Sequence, residues 1–164
     1  MHEKIIQTRK ITAFVMLVSS FLAFLCVPLV EAYAATTLNS PWQRITRHDN
    51  RSQITQSGRI VTARAQARNP NNVLLAGQVR ASTTIINADS GNVVLRSARV
   101  ANTRAERNVV RNMGVITHRN GVNGSRWQAR SWAQEWVIGL RGGIWVDQIN
   151  PHRTGVVRIP VNLR

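Results

Sequence analysis

The sequence predicts an all-β fold, consisting of a single antiparallel β-sandwich or barrel-like domain that follows a cleaved N-terminal signal peptide. Three observations support this prediction. Apolar residues recur at every second position in several short segments. Stretches rich in Asn and Gly, which are typical of turns, separate these segments. Glycines also interrupt the one tryptophan-rich segment that would otherwise fit a helix. Short alternating segments at this spacing are typical of sandwiches and barrels.

Residues 1–34 have the composition of a secretory signal peptide. Basic residues at positions 4, 9 and 10 precede a largely apolar run at 11–30. Ala32 and Ala34 then occupy the two positions that signal peptidase recognises, so cleavage is expected after Ala34. The alternative is a membrane anchor formed by residues 11–30, because a mostly apolar run of about 20 residues is long enough to span a bilayer.

The chain that remains after cleavage contains no cysteine, because the only cysteine is Cys26. Neither disulfides nor thiolate metal ligands are therefore expected in the mature protein. An exported domain without cysteine is ordinary in bacteria and unusual among animal secreted proteins. The sequence therefore favours a secreted bacterial protein.

The first part of the mature chain differs in pattern from the rest. Residues 35–58 are predicted to form a polar, basic N-terminal arm, and residues 59–164 to form the β-domain. The first predicted strand spans residues 59–68, with small apolar residues on one face and polar or arginine side chains on the other. The apolar face consists of Val61, Ala63, Ala65 and Ala67.

The middle of the chain predicts a hairpin. Residues 73–87 and 92–100 are β segments joined by a turn at residues 89–91. Residues 102–111 fit either a helical turn or a strand. As a helix, this segment would place three arginines on one face, namely Arg104, Arg107 and Arg111.

Residues 126–145 contain four tryptophans and are predicted to form strands. Trp132 and Trp136 share a strand face, whereas Trp127 is out of phase with them and suggests a bulge or a break. Residues 156–164 also alternate. Because Pro160 cannot donate to a ladder, this last strand is expected at an edge or a bulge.

Arginine is the only basic residue besides histidine after position 34. The mature chain holds 19 arginines, no lysine and five acidic residues, which gives a formal net charge of +14. The arginine guanidinium binds phosphate or carboxylate through a planar fork and stacks on aromatic rings, which lysine does not do. This excess charge predicts attraction to polyanions that weakens with salt.

The sequence contains no catalytic motif. There is no nucleophile elbow, the three mature-chain histidines (His48, His118 and His152) are isolated, and the five carboxylates are scattered. No catalytic residue, metal ligand or cofactor is therefore predicted, and the protein is not expected to be an enzyme.

Two groups of residues are the candidates for partner contact. The candidate polyanion contacts are arginines of the arm, the first strand and the tryptophan-rich segment, namely Arg44, Arg47, Arg51, Arg64, Arg68, Arg126, Arg130 and Arg141. The tryptophans either fill the core or stack on the partner, and their bulk favours the core. This second set is Trp127, Trp132, Trp136 and Trp145.

The expected function is that of a secreted, cationic, non-enzymatic β-domain that binds an anionic polymer or a membrane or cell-wall surface, with antibacterial action as one consequence. Candidate partners are teichoic acid, lipopolysaccharide, anionic lipid and nucleic acid. Two alternatives remain open from the sequence. One is an exported protein-binding module, such as an inhibitor or adhesion subunit, that recognises an acidic protein. The other is a lysine-free secreted effector or toxin.

Overall fold

The computed structural model describes residues 34–107, 109–140 and 142–161, and every regular element among them is a β-strand. Each pairing between these strands is antiparallel, which confirms the predicted all-β class. Within these ranges no helix meets the length and apolarity needed to span a bilayer. The described residues begin at position 34. The predicted signal peptide up to residue 33, and the alternative anchor at 11–30, therefore lie outside the described residues.

The first sheet has five strands in the order β1-β3-β4-β10, with β2 also paired to β3. Its longest strands, β3 and β4, form a hairpin with a continuous register from Asp49↔Arg68 to Ser57↔Ile60. The strands are β1 Thr36–Asn39, β2 Gln43–Arg44, β3 Asp49–Ser57, β4 Ile60–Arg68 and β10 Arg111–His118.

The second sheet has seven strands built on β11, which pairs with β6 on one side and with β12, β13 and β14 on the other. The predicted hairpin is present as β6 and β7. The strands are β6 Val79–Asn87, β7 Val93–Arg96, β8 Val100–Ala101, β11 Arg126–Gly139, β12 Gly142–Asp147, β13 His152–Arg153 and β14 Val157–Arg158. A separate two-stranded sheet consists of β5 Val73–Leu74 and β9 Glu106–Arg107.

The buried apolar residues come from both large sheets, so the inner faces of the two sheets enclose a common core. One cluster combines Ile54 and Val61 of the first sheet with Ile85 and Trp127 of the second. The other cluster is lined largely by small side chains, as the alanines of β4 predict. Its members are Ala65, Ala67, Leu74, Val79, Ala81, Met113 and Ala133.

The predicted N-terminal arm at residues 35–58 is wrong. This segment supplies strands β1, β2 and β3 of the first sheet, and β3 buries every second side chain. The alternation is hidden in the sequence because most of the buried positions of β3 are polar, including Asn50, Ser52 and Gln56. An apolar/polar pattern cannot reveal a strand whose inward face is itself polar.

Of the two alternatives for residues 102–111, a helical turn or a strand, the structure has the strand Glu106–Arg107, which pairs with β5. The described residues of this segment form no helix, so the stripe of three arginines does not form. Two other local predictions are corrected. Trp127 needs neither bulge nor break, because β11 keeps one register with β6 from Trp127 to Glu135. Of residues 156–161, only Val157–Arg158 is a strand.

Candidate functional site

Strand β11 divides its tryptophans between two environments. Trp127 points inward and is buried in the core. Trp132 and Trp136 have the opposite parity, so they lie half-buried on the outer face of the second sheet, and Trp136 faces Trp145 of β12. The prediction that the tryptophans fill the core therefore holds for Trp127 and is wrong for the other three.

Two of the three outward tryptophans pack with each other, and one of these two also contacts an arginine. The rings of Trp136 and Trp145 meet edge to face with centroids 5.3 Å apart. The guanidinium of Arg80 lies 4.0 Å from the centroid of Trp145, at cation–π distance. Gly143 provides the space for Trp136, because a Cβ at this glycine would lie 2.1 Å from the indole ring.

Gln134 and Asp147 join the tryptophans to the nearest arginines. The Gln134 side-chain oxygen accepts hydrogen bonds from Arg80 Nε at 2.6 Å and from Arg99 at 2.9 Å. Asp147 accepts hydrogen bonds from Trp132 Nε1 at 3.0 Å and from the Gln134 amide. The Trp132 hydrogen bond lowers the pKa of Asp147, although slight burial opposes this shift and Gln134 adds to it.

A row of arginines crosses the same sheet beside Trp132. Arg153 of β13 is the direct partner of Arg130 of β11, Arg130 is the partner of Thr84 of β6, and Thr84 is the partner of Arg96 of β7. Cross-strand partners share one face of a sheet, so three arginines lie in one row. Among the described residues, no carboxylate forms an ion pair with any of them.

We refer to this part of the outer surface of the second sheet as the Trp–Arg face. It consists of Trp132, Trp136, Trp145, Arg80, Arg96, Arg99, Arg130, Arg153, Gln134 and Asp147. The face can offer planar rings for stacking and guanidinium groups for anions.

No protein-family model, curated protein or solved structure matches the chain. Only the residues of the chain itself therefore indicate its function.

The predicted arginine contacts do not form one site. Arg44, Arg51, Arg64 and Arg68 belong to the first sheet, whose outer face is turned away from the Trp–Arg face. Arg126 forms an ion pair with Asp89 at 2.6 Å. Arg47 lies exposed in the turn between β2 and β3. Only Arg130 belongs to the Trp–Arg face, and Arg141 lies outside the described residues.

Four arginines of the Trp–Arg face were missed from the sequence, and they are Arg80, Arg96, Arg99 and Arg153. The alternation of residues 126–138 indicates which side chains of β11 point outward. It does not indicate which distant strands lie beside β11. That information depends on long-range pairing, for which the local sequence carries no signal.

The buried titratable groups form a second polar region, between the sheets. His48 Nδ1 lies 2.9 Å from Glu135 Oε1, at ion-pair distance although the ring N–H is not aligned with the oxygen. Glu135 Oε2 accepts the backbone N–H groups of Thr46 and Arg47 at 3.2 and 3.0 Å. Burial by itself would raise the pKa of Glu135, but the contact with His48 and these hydrogen bonds lower it to about 2.

Further polar side chains continue this region along β3 and β11. Ser131 donates its hydroxyl to Ser52 across the two sheets at 2.9 Å, and both residues are buried. Asn50 and His152 are also buried, with no protein hydrogen-bond partner for their side chains among the described residues. We call this set the polar seam, and it consists of His48, Asn50, Ser52, Ser131, Glu135 and His152.

The residues of the polar seam are at most 2% exposed, so a partner at the surface cannot contact them. The third histidine, His118, is half-buried with its ring 4.8 Å from that of Trp127. Among the described residues, no group of three or more His, Cys, Asp or Glu side chains is placed to hold a metal ion. The candidate site is therefore the Trp–Arg face, because its tryptophan rings and guanidinium groups lie on an outer surface that a partner can contact.

Proposed function

We propose that this protein is a secreted, non-enzymatic β-sandwich domain that binds an anionic polymer through its Trp–Arg face. The observation that carries the proposal is the direct opposition of Arg130 and Arg153, with Arg96 in the same row and no paired carboxylate among the described residues. Like charges opposed across two strands destabilise a sheet. A bound polyanion would remove that repulsion and gain charge-assisted hydrogen bonds.

The neighbouring tryptophans support a polymer rather than a single small anion. Trp132 lies on β11 two residues from Arg130, so an indole ring and a guanidinium occupy adjacent positions on one outer face. Polymers with repeating charges and planar groups bind such surfaces by backbone neutralisation together with stacking on the ring. The formal charge of +14 adds long-range attraction. Export, for which the support is the composition of residues 1–34, would bring the domain to polymers outside the cell.

Removing the opposed arginines is expected to weaken binding by about 10- to 100-fold at low salt, because two phosphate-type contacts are lost. The variant is Arg130→Gln/Arg153→Gln, and the probes are heparin, single-stranded DNA and polyphosphate. Binding is followed by tryptophan fluorescence over a range of salt concentrations. With single-stranded DNA, the slope of log K against log[salt] should fall by about 1.4 in magnitude, at about 0.7 for each contact.

The matched control removes the same charge elsewhere. Arg104→Gln/Arg107→Gln changes two exposed arginines that belong to neither sheet face, and it should alter the affinity only slightly. With single-stranded DNA, whose bases can stack, Trp132→Ala should cost about 1–3 kcal/mol of binding free energy with the salt slope unchanged, because stacking and not charge is lost. Equal losses in the control and in the arginine variant would contradict a specific face. If no probe bound at low ionic strength, the proposal would be wrong.

A second candidate function is supported by exposed aliphatic residues at and beside the tip of the β11–β12 hairpin. The exposed fractions of Ile138, Leu140 and Ile144 are 76%, 109% and 65%, and the Trp136–Trp145 pair lies at the base of the same hairpin. Exposed aliphatic residues next to paired tryptophans suit the interface of a lipid bilayer. Arg80 beside Trp145 would then meet anionic headgroups.

If the tip enters lipid, Leu140→Asp should reduce binding to vesicles of anionic phospholipid by at least about tenfold, since burying a leucine contributes about 1.5–3 kcal/mol. The measurement is co-sedimentation with vesicles at constant charge density. Val122→Asp is the control, because Val122 is 71% exposed on a loop away from the hairpin. Equal loss in both variants would indicate a charge effect and would contradict insertion of the tip.

A further inference from the structure

A second cluster of arginine and tryptophan lies on the outer face of the first sheet. The guanidinium carbons of Arg51 and Arg68 lie 4.3 and 4.2 Å from the centroid of Trp42. Arg51 of β3 and Arg68 of β4 both occupy strand positions whose side chains point away from the core. One indole ring therefore holds two positive charges close together.

The electrostatics of this cluster favour an added anion. Burial lowers the pKa of Arg51, and the charge of Arg68 lowers it further. Asp49 accepts Arg44 Nε at 3.0 Å and Arg68 Nε at 3.3 Å, so one carboxylate is shared by two arginines. Arg51 Nε donates to Gln66 at 2.7 Å, and no carboxylate among the described residues pairs with it. The cluster thus holds three guanidinium groups and one carboxylate, and this carboxylate contacts only Arg44 and Arg68.

This cluster and the Trp–Arg face lie on the outer faces of different sheets. The two large sheets share one core, so their outer faces point in opposite directions. Packed sheets lie about 10 Å apart, and a short anionic oligomer on one face does not reach the other. Each face carries its own tryptophan, its own arginines and its own excess of positive charge.

We propose that the Trp42 cluster, formed by Trp42, Arg44, Arg51 and Arg68, is a second anion-binding site and that the protein therefore cross-links polyanion chains. The site takes a phosphate- or sulfate-type group held by the forks of Arg51 and Arg68. This inference rests on the proposed function, since cross-linking needs the Trp–Arg face as the other site.

The number of bound oligomers tests the proposal directly. The probe is a polyphosphate of about three phosphates, which is shorter than the spacing of about 10 Å between packed sheets and therefore cannot reach from one outer face to the other. Calorimetric titration of the intact protein is expected to give two oligomers per chain. Arg51→Gln/Arg68→Gln should reduce the number to one, and Arg130→Gln/Arg153→Gln should also reduce it to one. Arg104→Gln/Arg107→Gln should leave it at two.

Cross-linking is measured separately with long-chain polyphosphate and light scattering. Arg51→Gln/Arg68→Gln should keep binding and lose scattering by at least about fivefold, whereas the control of equal charge should keep both. Arg51→Lys/Arg68→Lys keeps the charge and is expected to restore scattering only in part, because lysine neither forks nor stacks as arginine does. Circular dichroism of each variant checks that the sheet is intact.

The possible outcomes separate the two proposals. One oligomer bound by the wild type, lost in Arg130→Gln/Arg153→Gln, would overturn the second site and leave the proposed function standing. Two oligomers in Arg51→Gln/Arg68→Gln would also overturn the second site. If the wild type bound no oligomer and no long polymer, the proposed function itself would fall, and cross-linking with it.

Discussion

Replacing Glu135 with alanine is expected to lower the free energy of unfolding by about 3–5 kcal/mol, because the change removes a buried carboxylate and leaves its polar partners in place. His48 would remain in the interior without its carboxylate. The N–H groups of Thr46 and Arg47 would lose their acceptor. Urea unfolding followed by the fluorescence of buried Trp127 measures the effect.

Three further variants isolate the cause. Glu135→Gln keeps the shape and one acceptor oxygen, so its loss should be smaller than that of alanine. His48→Leu/Glu135→Leu removes both polar partners and should recover much of the stability, as expected when apolar groups replace a buried pair. Glu106→Ala serves as the control, because the Glu106–Arg111 pair is partly exposed and should contribute about 1 kcal/mol or less. A loss from Glu135→Ala no larger than that control would contradict the prediction.

The importance of Glu135 follows from where its contacts lie. Glu135 belongs to β11 of the second sheet, whereas its three partners lie in the turn that leads into β3 of the first sheet. Ser131, four residues before Glu135 on the same face of β11, donates a hydrogen bond to Ser52 of β3. The two sheets are therefore joined by directional contacts at defined positions, in addition to apolar packing. Directional contacts fix the alignment of the sheets, which apolar side chains alone specify less tightly.

The sequence predicted the fold well where the inward residues are apolar. Strand β4 was recognised because Val61 and the alanines after it alternate with polar residues, and all of them are buried. Strand β3 was missed because the polar seam occupies its inward positions. A polar side chain at an inward position has the same appearance in a sequence as one in a solvated loop, and only its distant partner distinguishes the two.

The candidate site was predicted less completely, for a related reason. The outward parity of Trp132 and Trp136 is visible in the sequence, but the assumption that the bulkiest residues fill the core led to the wrong face. The core of this protein instead uses alanines opposite one another in the second cluster, so it needs only Trp127 as a large aromatic. Arg153 and Arg96 join Arg130 through pairings between strands far apart in the chain. Those pairings depend on the whole fold.

Acid is expected to destabilise the protein in two stages, because two buried groups of the polar seam titrate differently in the folded and unfolded states. Burial lowers the pKa of His152 below its ordinary value of 6.5, so the unfolded chain binds a proton there first as the pH falls. Stability should therefore be complete above about pH 6.5 and decline below it, by at most about 1.4 kcal/mol per pH unit. The pKa of Glu135 is lowered from 4.5 to about 2, so its contribution is present above pH 4.5 and is lost as the pH falls to 2.

The second stage should lower the free energy of unfolding by about 3 kcal/mol. This amount corresponds to the difference between the pKa of Glu135 in the unfolded chain, 4.5, and its pKa in the folded protein, about 2. Urea unfolding at a series of pH values from 8 to about 2 measures both stages. His152→Gln should flatten the first stage and leave the second, whereas Glu135→Gln should do the reverse. Because Asp89 and Asp147 also have lowered pKa values but lie at the surface, Asp89→Asn and Asp147→Asn should change the acid profile only slightly. If the surface variants flattened the acid decline as much as Glu135→Gln, the stability at low pH would depend on surface charge and not on the polar seam.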